Sequence, residues 1–274
     1  MTKNKLIIEP GRIEQQYWRD LWTYRELFYF LAWRDILVRY KQTAIGIAWA
    51  LLRPLLTMIV FTIVFGRLAQ LPSGGAPYPI MVFSAMLPWQ FFATSFAEAG
   101  NSLIANSNMI SKVYFPRLVM PASAVIVSFV DFLISFSILL ALMLWYGFIP
   151  SPKIFLLPLF ILFAFSASMA GGIWIAALNV KYRDFRYIIP FVVQLGLYIS
   201  PVGFTSSLVP DKWRLLYSMN PMVGVIDGFR WAILGGEYQL YWPGFLLSLT
   251  LVGIILATGI VYFRKTEKTF ADVI

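Results

Sequence analysis

The 274-residue sequence contains no cysteine and no histidine. Disulfides, zinc–thiolate centres, haem ligation and imidazole acid–base chemistry cannot therefore be built from this chain alone. Charge is scarce as well. Asp, Glu, Lys and Arg make up 13% of the residues, against about 25% in an ordinary soluble domain. Beside 59% hydrophobic and 18% aromatic residues, that shortage excludes a disordered chain and argues against a single soluble domain. No Gly-Lys dipeptide occurs, so the GxxxxGK[ST] loop that cradles phosphates is missing and ATP hydrolysis of that type is excluded. Carboxylates number 13, and Glu9, Glu14, Asp20, Glu26 and Asp35 all fall near the N-terminus. No acidic pair is left at membrane depth for a metal-dependent glycosyl or phosphoryl enzyme.

What the sequence does hold is long apolar runs. Crossing about 30 Å of hydrocarbon takes about 20 mostly apolar residues. Six segments qualify: Ala44–Gly66, interrupted only by Arg53-Pro54; Pro79–Ala99, containing Pro88; Leu118–Tyr146, with the single carboxylate Asp131; Ile154–Leu178; the short Tyr187–Val202; and Trp242–Phe263. The pattern predicts an all-α integral membrane protein of six transmembrane helices. Three regions follow: residues 1–43 at the N-terminus, a transmembrane domain over 44–263, and a tail over 264–274.

No apolar stretch precedes the charged N-terminal region, so no secretory signal is expected there. Tyr17, Leu21, Tyr24, Phe28 and Leu31 recur at three- and four-residue steps, with Arg19, Asp20, Arg25, Glu26, Arg34 and Asp35 between them. That spacing describes an amphipathic helix in the membrane interface, aromatics towards lipid, or a helix packed on a partner. Lys and Arg set the orientation. Seventeen of the 22 fall on one side if both termini are cytoplasmic, counting Arg53 with the N-terminal segment. The net charge of +9 thus records topology and does not signal nucleic acid.

Between Gly203 and Tyr241 the apolar pieces are too short to span and too apolar for a hydrated loop. Two short helices dipping into the outer leaflet fit, the second starting at Pro221, with a compact outer cap as the alternative. Asp227 and Arg230 are three apart, which suits a pair on one face. Asp131, alone in its span, is either a proton-handling carboxylate or an interhelical hydrogen-bond partner. Arg53 costs about 2.5–3.5 kcal/mol at mid-span, and is expected to snorkel or to line a polar cavity, with Glu98 as a candidate counter-charge. The segment Asn101–Arg117 combines Asn and Ser caps with apolar anchors and stops at Pro116. It reads as a short helix outside the bilayer that a partner's groove would cover.

The run from Arg34 to Trp49 (RDILVRYKQTAIGIAW), followed by Arg53-Pro54-Leu55, resembles the start of span one in ABC-2 type permeases, and within them the membrane subunits of polysaccharide exporters. Asn108–Pro121 (NMISKVYFPRLVMP), Asn179–Tyr187 (NVKYRDFRY), Ser200-Pro201-Val202, Asn220-Pro221 and Arg230 extend the resemblance over nearly the whole chain. It implies a homodimer joined to two copies of a separate nucleotide-binding subunit, which would bind ATP and Mg; this chain would have no cofactor of its own. The implied cargo is a lipid-linked glycan, typically an O-antigen-like polymer on undecaprenyl diphosphate, and the location is the bacterial cytoplasmic membrane. A teichoic acid, a capsular polymer, a drug or a small lipid are the alternatives. Residues 100–117 would form the coupling helix, with Asn108, Ser111, Lys112, Tyr114, Phe115, Pro116 and Arg117 facing the ATPase. Residues 203–235 would form the outer gate, with Asn220, Pro221, Asp227 and Arg230.

Aromatic faces stack on sugar rings without fixing a hydrogen-bond register, which suits a sliding polymer. Phe83, Trp89, Phe91 and Phe92 in span two and Tyr198 in span five supply such faces, beside Arg53. Arg39, Lys41 and Arg53 form a basic inner rim suited to a lipid phosphate.

Overall fold

The computed structural model describes residues 14–41, 46–236 and 238–270. The expected boundary at 43–44, the end of the tail and the basic residues Lys3, Lys5 and Arg12 lie outside them. In chain order the helices are α1 (Glu14–Thr23), α2 (Arg25–Lys41), α3 (Gly46–Phe61), α4 (Tyr78–Ala105), α5 (Ser107–Ile110), α6 (Val119–Trp145), α7 (Leu157–Lys181), α8 (Phe185–Ile199), α9 (Asp211–Tyr217), α10 (Pro221–Ile233) and α11 (Trp242–Glu267). A wider-wound π turn continues α3 through Thr62–Leu68. Five helical stretches are long and apolar enough to cross a membrane: Leu51–Leu68, Tyr78–Ala105, Val119–Trp145, Pro152–Lys181 and Trp242–Glu267. The sixth expected span, α8, has 15 residues, about 22 Å at 1.5 Å per residue, and falls short of the hydrocarbon thickness. An all-α membrane architecture results, as the apolar runs predicted.

Span α4 is the inner post of the bundle. It packs on α6 and α7, and α7 in turn packs on α11. Ile80, Met81, Val82 and Ala85 on α4 are fully buried, so protein rather than lipid surrounds that helix. Span α3 stands at the rim, with Leu52, Leu56, Ile59, Val60, Ile63 and Val64 exposed.

A second core closes the end where α1 and α2 meet the end of α11. Leu31, Leu103, Ile110, Phe115, Leu118, Phe263 and Phe270 meet there. The stripe expected to face lipid, Tyr17 to Leu31, packs on this core instead, and Leu31 is buried. The aromatics left exposed on α1 and α2 are Trp18, Trp22, Tyr29, Phe30 and Trp33. These helices are apolar on more than one side, so periodicity alone chose the wrong face for lipid. Their junction with α11 is fastened by the Arg264 guanidinium, 4.6 Å from the Tyr17 ring centroid.

The expected coupling helix over 100–117 is not one helix. Span α4 runs on to Ala105, a single turn follows as α5, and the chain is irregular up to α6. Asn106 breaks the helix: its Nδ2 donates to the Ser102 carbonyl at 2.9 Å, while its Oδ1 accepts from Arg34 Nη2 at 3.2 Å. The Arg117 amide donates to Glu267 Oε1 at 2.8 Å, and its guanidinium donates to the Glu267 carbonyl. The anchors Ile110 and Phe115 are therefore buried by this chain's own helices, and no partner is needed to cover them. Ser111, Lys112, Val113 and Tyr114 stay exposed.

A candidate transport cavity between the spans

A cavity of about 900 Å³ opens among α3, α4, α6 and α8, with the end of α2 at its mouth. Span α4 presents Gln90, Thr94, Glu98 and Asn101 to it, a polar stripe at three- and four-residue steps on an otherwise apolar helix. Span α6 adds Ser128, Asp131, Phe132 and Ser135, and α8 adds Arg186, Gln194 and Leu197. Groups that form hydrogen bonds thus alternate with apolar and aromatic faces.

The structure distributes the expected pathway residues unevenly. Trp89, Phe91 and Arg53 line the cavity, whereas Phe92 and Tyr198 do not. Tyr198 is 62% exposed on the outer surface of α8, and Phe83 lies in the core at 1%. Of the expected phosphate contacts, Arg39 and Arg53 line the cavity and Lys41 lies off it, exposed. Sequence reading passed over the α4 stripe and Arg186. The stripe's signal was there, in the helical spacing of the polar residues, but only contact with a cavity distinguishes a pathway from isolated polar residues.

Trp89 is only 4% exposed because Gly196 lets α8 lie against its ring. A Cβ at Gly196 would sit 2.4 Å from Trp89 Cη2, closer than carbon atoms approach. Gly196→Ala is therefore expected to destabilise the chain by about 1–3 kcal/mol through overpacking, with part of the loss recovered when Trp89→Leu is added. Thermal midpoints of the two single variants and the double variant check this; independent effects would show that the contact is absent.

Asp131 does not stand alone. Its carboxylate accepts from the Arg39 guanidinium and from the Tyr40 hydroxyl, both on α2. Arg39 also donates to Glu98 Oε1 at 2.8 Å. Glu98 therefore pairs with Arg39 and not with Arg53, correcting the expected counter-charge. Burial, and then the bond to Asp131, push the Tyr40 hydroxyl pKa well above its ordinary value, so it stays a proton donor. The cluster ties α2 to α4 and α6 at the cavity mouth. Arg53 and Arg186 also face the cavity, and neither forms an ion pair with any described residue.

At the end away from the second core, the two expected short helices are present as α9 and α10. Pro221 opens α10, and Asn220 caps it by accepting from the Met222 amide at 3.0 Å. Asn220 Nδ2 also donates to Ser200 Oγ at 3.0 Å. Asp227 and Arg230 do not pair with each other. Ser206 Oγ donates to Asp227 Oδ2 at 2.6 Å, and Arg230 turns to backbone carbonyls: Met81 at 3.3 Å, Phe204 at 2.6 Å and Val202 at 2.8 Å.

Those bonds explain how α8 can be so short. The chain unwinds after Ile199, and irregular backbone next to a membrane needs its carbonyls satisfied inside the protein. Tyr217 supplies a hydroxyl to the Ile199 carbonyl at 2.7 Å, Tyr78 supplies one to Gly203 at 2.6 Å, and Arg230 serves Val202 and Phe204.

A bundle of spanning helices around a polar and aromatic cavity, with short helices folded back at one end, defines a multi-pass membrane transport protein. Residues 26–234 match the ABC-2 type transporter family, and the chain belongs to that family, as the permease subunit of an ABC transporter. It is 28% identical over 261 residues to the O-antigen export system permease protein RfbA of Myxococcus xanthus, an alignment covering 93% of this chain and 97% of that protein. The protein of the same name from Klebsiella pneumoniae is 28% identical over 250 residues, 88% of this chain and 92% of the relative. The polysialic acid transport protein KpsM of Escherichia coli is 21% identical over 241 residues, 86% and 91% respectively.

Proposed function

We propose that the chain exports a lipid-linked polysaccharide, an O-antigen-like polymer on undecaprenyl diphosphate, across the cytoplasmic membrane. It acts as a homodimer with two copies of a nucleotide-binding subunit that hold ATP and Mg and supply the energy. Both termini face the cytoplasm, where most of the Lys and Arg lie. The observation that carries this reading is the cavity, where a polar stripe of Gln90, Thr94, Glu98 and Asn101 runs beside Trp89 and Phe91. Such a surface offers both hydroxyl partners and stacking faces to a sliding glycan. Relatives named for two different polymers share a glycan cargo, which favours polysaccharide over a drug or a small lipid.

The lipid diphosphate is assigned to Arg53 and Arg186, which face the cavity without an ion-pair partner among the described residues, while Arg39 is held by two carboxylates. Lys41 is dropped from that set. In vesicles containing the permease and its ATPase, ATP-driven polymer release is the deciding measurement. Arg53→Ala with Arg186→Ala is expected to lower release about tenfold or more, as loss of charge-assisted contacts would. Unchanged release by the double variant rejects the head-group assignment, and no release of any polymer by the unsubstituted complex rejects the export reading.

Docking of the ATPase is assigned to the exposed residues Ser111–Tyr114. Replacing these four with Gly and Ser is expected to abolish co-purification of the ATPase and to leave the thermal midpoint nearly unchanged, since none is buried. ATPase retained by the substituted chain would place the contact elsewhere.

A further inference from the structure

We propose that the chain carries a second carbohydrate site at the end away from the second core, one that takes a single neutral sugar ring. Thr205, Ser206, Ser207, Arg214, Asp227 and Arg230 line a cavity of about 140 Å³ there. It shares no lining residue with the transport cavity.

Asp227, Arg214 and Arg230 face one space without pairing across it. Asp227 Oδ2 accepts from Ser206 Oγ at 2.6 Å, yet neither Arg214 nor Arg230 lies within 4.0 Å of the carboxylate. A guanidinium has five N–H donors. Arg230 commits three to backbone carbonyls, leaving two. Arg214 Nε is buried and has no hydrogen-bond partner. The rest of the Arg214 head lies against the Tyr241 ring, 4.6 Å from its guanidinium carbon, and pairs loosely at 4.0 Å with the exposed Asp211.

A ligand bridging this gap must donate to Asp227 and accept from guanidinium. A phosphate satisfies the arginines but is repelled by Asp227. An ammonium suits Asp227 but meets two cations. A hydroxyl group both donates and accepts from a single oxygen, so a polyhydroxylated neutral molecule fits the whole set. Size narrows the class. A cavity of about 150 Å³ holds a molecule the size of benzene, so one hydroxyl-bearing edge of a sugar ring enters this one and the rest of the ring stays at the mouth. Buried Thr205 and exposed Ser207 add two more hydroxyls, hydrogen-bonded to each other at 2.8 Å. Taking the exported polymer as the source of that ring rests on the proposed function; the chemistry of the cavity does not.

The test is saturation-transfer NMR on the purified full-length chain in lipid nanodiscs, with methyl glycosides of a hexose, a 6-deoxyhexose and an N-acetylhexosamine as probes. At least one glycoside is expected to show transfer that equimolar inorganic phosphate does not displace. Asp227→Asn is expected to weaken it about tenfold, as loss of a hydrogen bond to a charged group does. Gln239 also lines the cavity and is exposed; Gln239→Trp, which adds bulk there and leaves the buried charges alone, is expected to weaken it comparably and serves as the check should Asp227→Asn fold poorly. No transfer from any glycoside, displacement by phosphate, or transfer that survives Gln239→Trp overturns the proposal. A chain that exports polymer but fails here loses only this site. One that binds glycosides but exports nothing loses only the export reading.

Discussion

Arg230→Met is expected to prevent most of the protein from accumulating in folded form. Arg230 is 1% exposed and donates to the carbonyls of Met81, Val202 and Phe204. Methionine keeps much of the side-chain bulk but supplies no donor, so the three carbonyls of Met81, Val202 and Phe204 lose their partner at once. Each unsatisfied buried group costs about 1–3 kcal/mol. Three together approach the whole stability of a typical domain, about 5–15 kcal/mol. The loss is local in origin and wide in effect, because the freed segment joins α8 to α9 and α10. Arg230→Lys should be intermediate, since an ammonium is a point donor and lacks the planar fork that reaches two separated carbonyls. Fluorescence-detected size exclusion over a temperature ramp measures both variants. An Arg230→Met chain that elutes and melts like the parent would show that the segment stands without its clamp.

Asp131→Ala is expected to act on transport more than on folding. The ion pair of Arg39 with Asp131 is neither at the surface nor fully buried, at 29% and 22% side-chain exposure. Exposed pairs contribute about 0.2–1 kcal/mol, and breaking a buried one costs about 3–5 kcal/mol. Between those limits, about 1–3 kcal/mol is expected for the single substitution. Leu31 and its neighbours still hold α2 on the second core, so the bundle should remain folded. What changes is the cavity mouth, where α2 loses its tie to Asp131 on α6 while Arg39 keeps its bond to Glu98. Polymer release should fall about tenfold. The exchanged pair Arg39→Asp with Asp131→Arg should recover part of it, a coupling that a double-mutant cycle isolates. Additive losses in the cycle would mean that Arg39 and Asp131 act separately.

Much of the fold was legible from the sequence. The long apolar runs, the unbroken Trp242–Phe263 stretch and the Asn220-Pro221 start of α10 stand where the pattern put them, because apolar length and cap chemistry are local properties. The candidate site was legible only in part. Trp89, Phe91, Arg39 and Arg53 reach the cavity, while Phe92, Tyr198 and Lys41, chosen by the same reasoning, do not. Residue type says that a ring or a charge is available, but the rotation of its helix decides where it points. Asp131 found Arg39, 92 positions away, and no local pattern reports a contact at that separation.

By itself, then, the sequence determined that this chain enters a bilayer and about how many times. The tertiary structure alone decided that the Tyr17–Leu31 stripe meets protein instead of lipid, that Arg230 serves carbonyls instead of Asp227, and that α8 ends early. The physical reason is the solvent. Lipid tails are as apolar as leucine, so an apolar face is satisfied equally by bilayer or by neighbouring helix, and only close packing and completed hydrogen bonds break the tie.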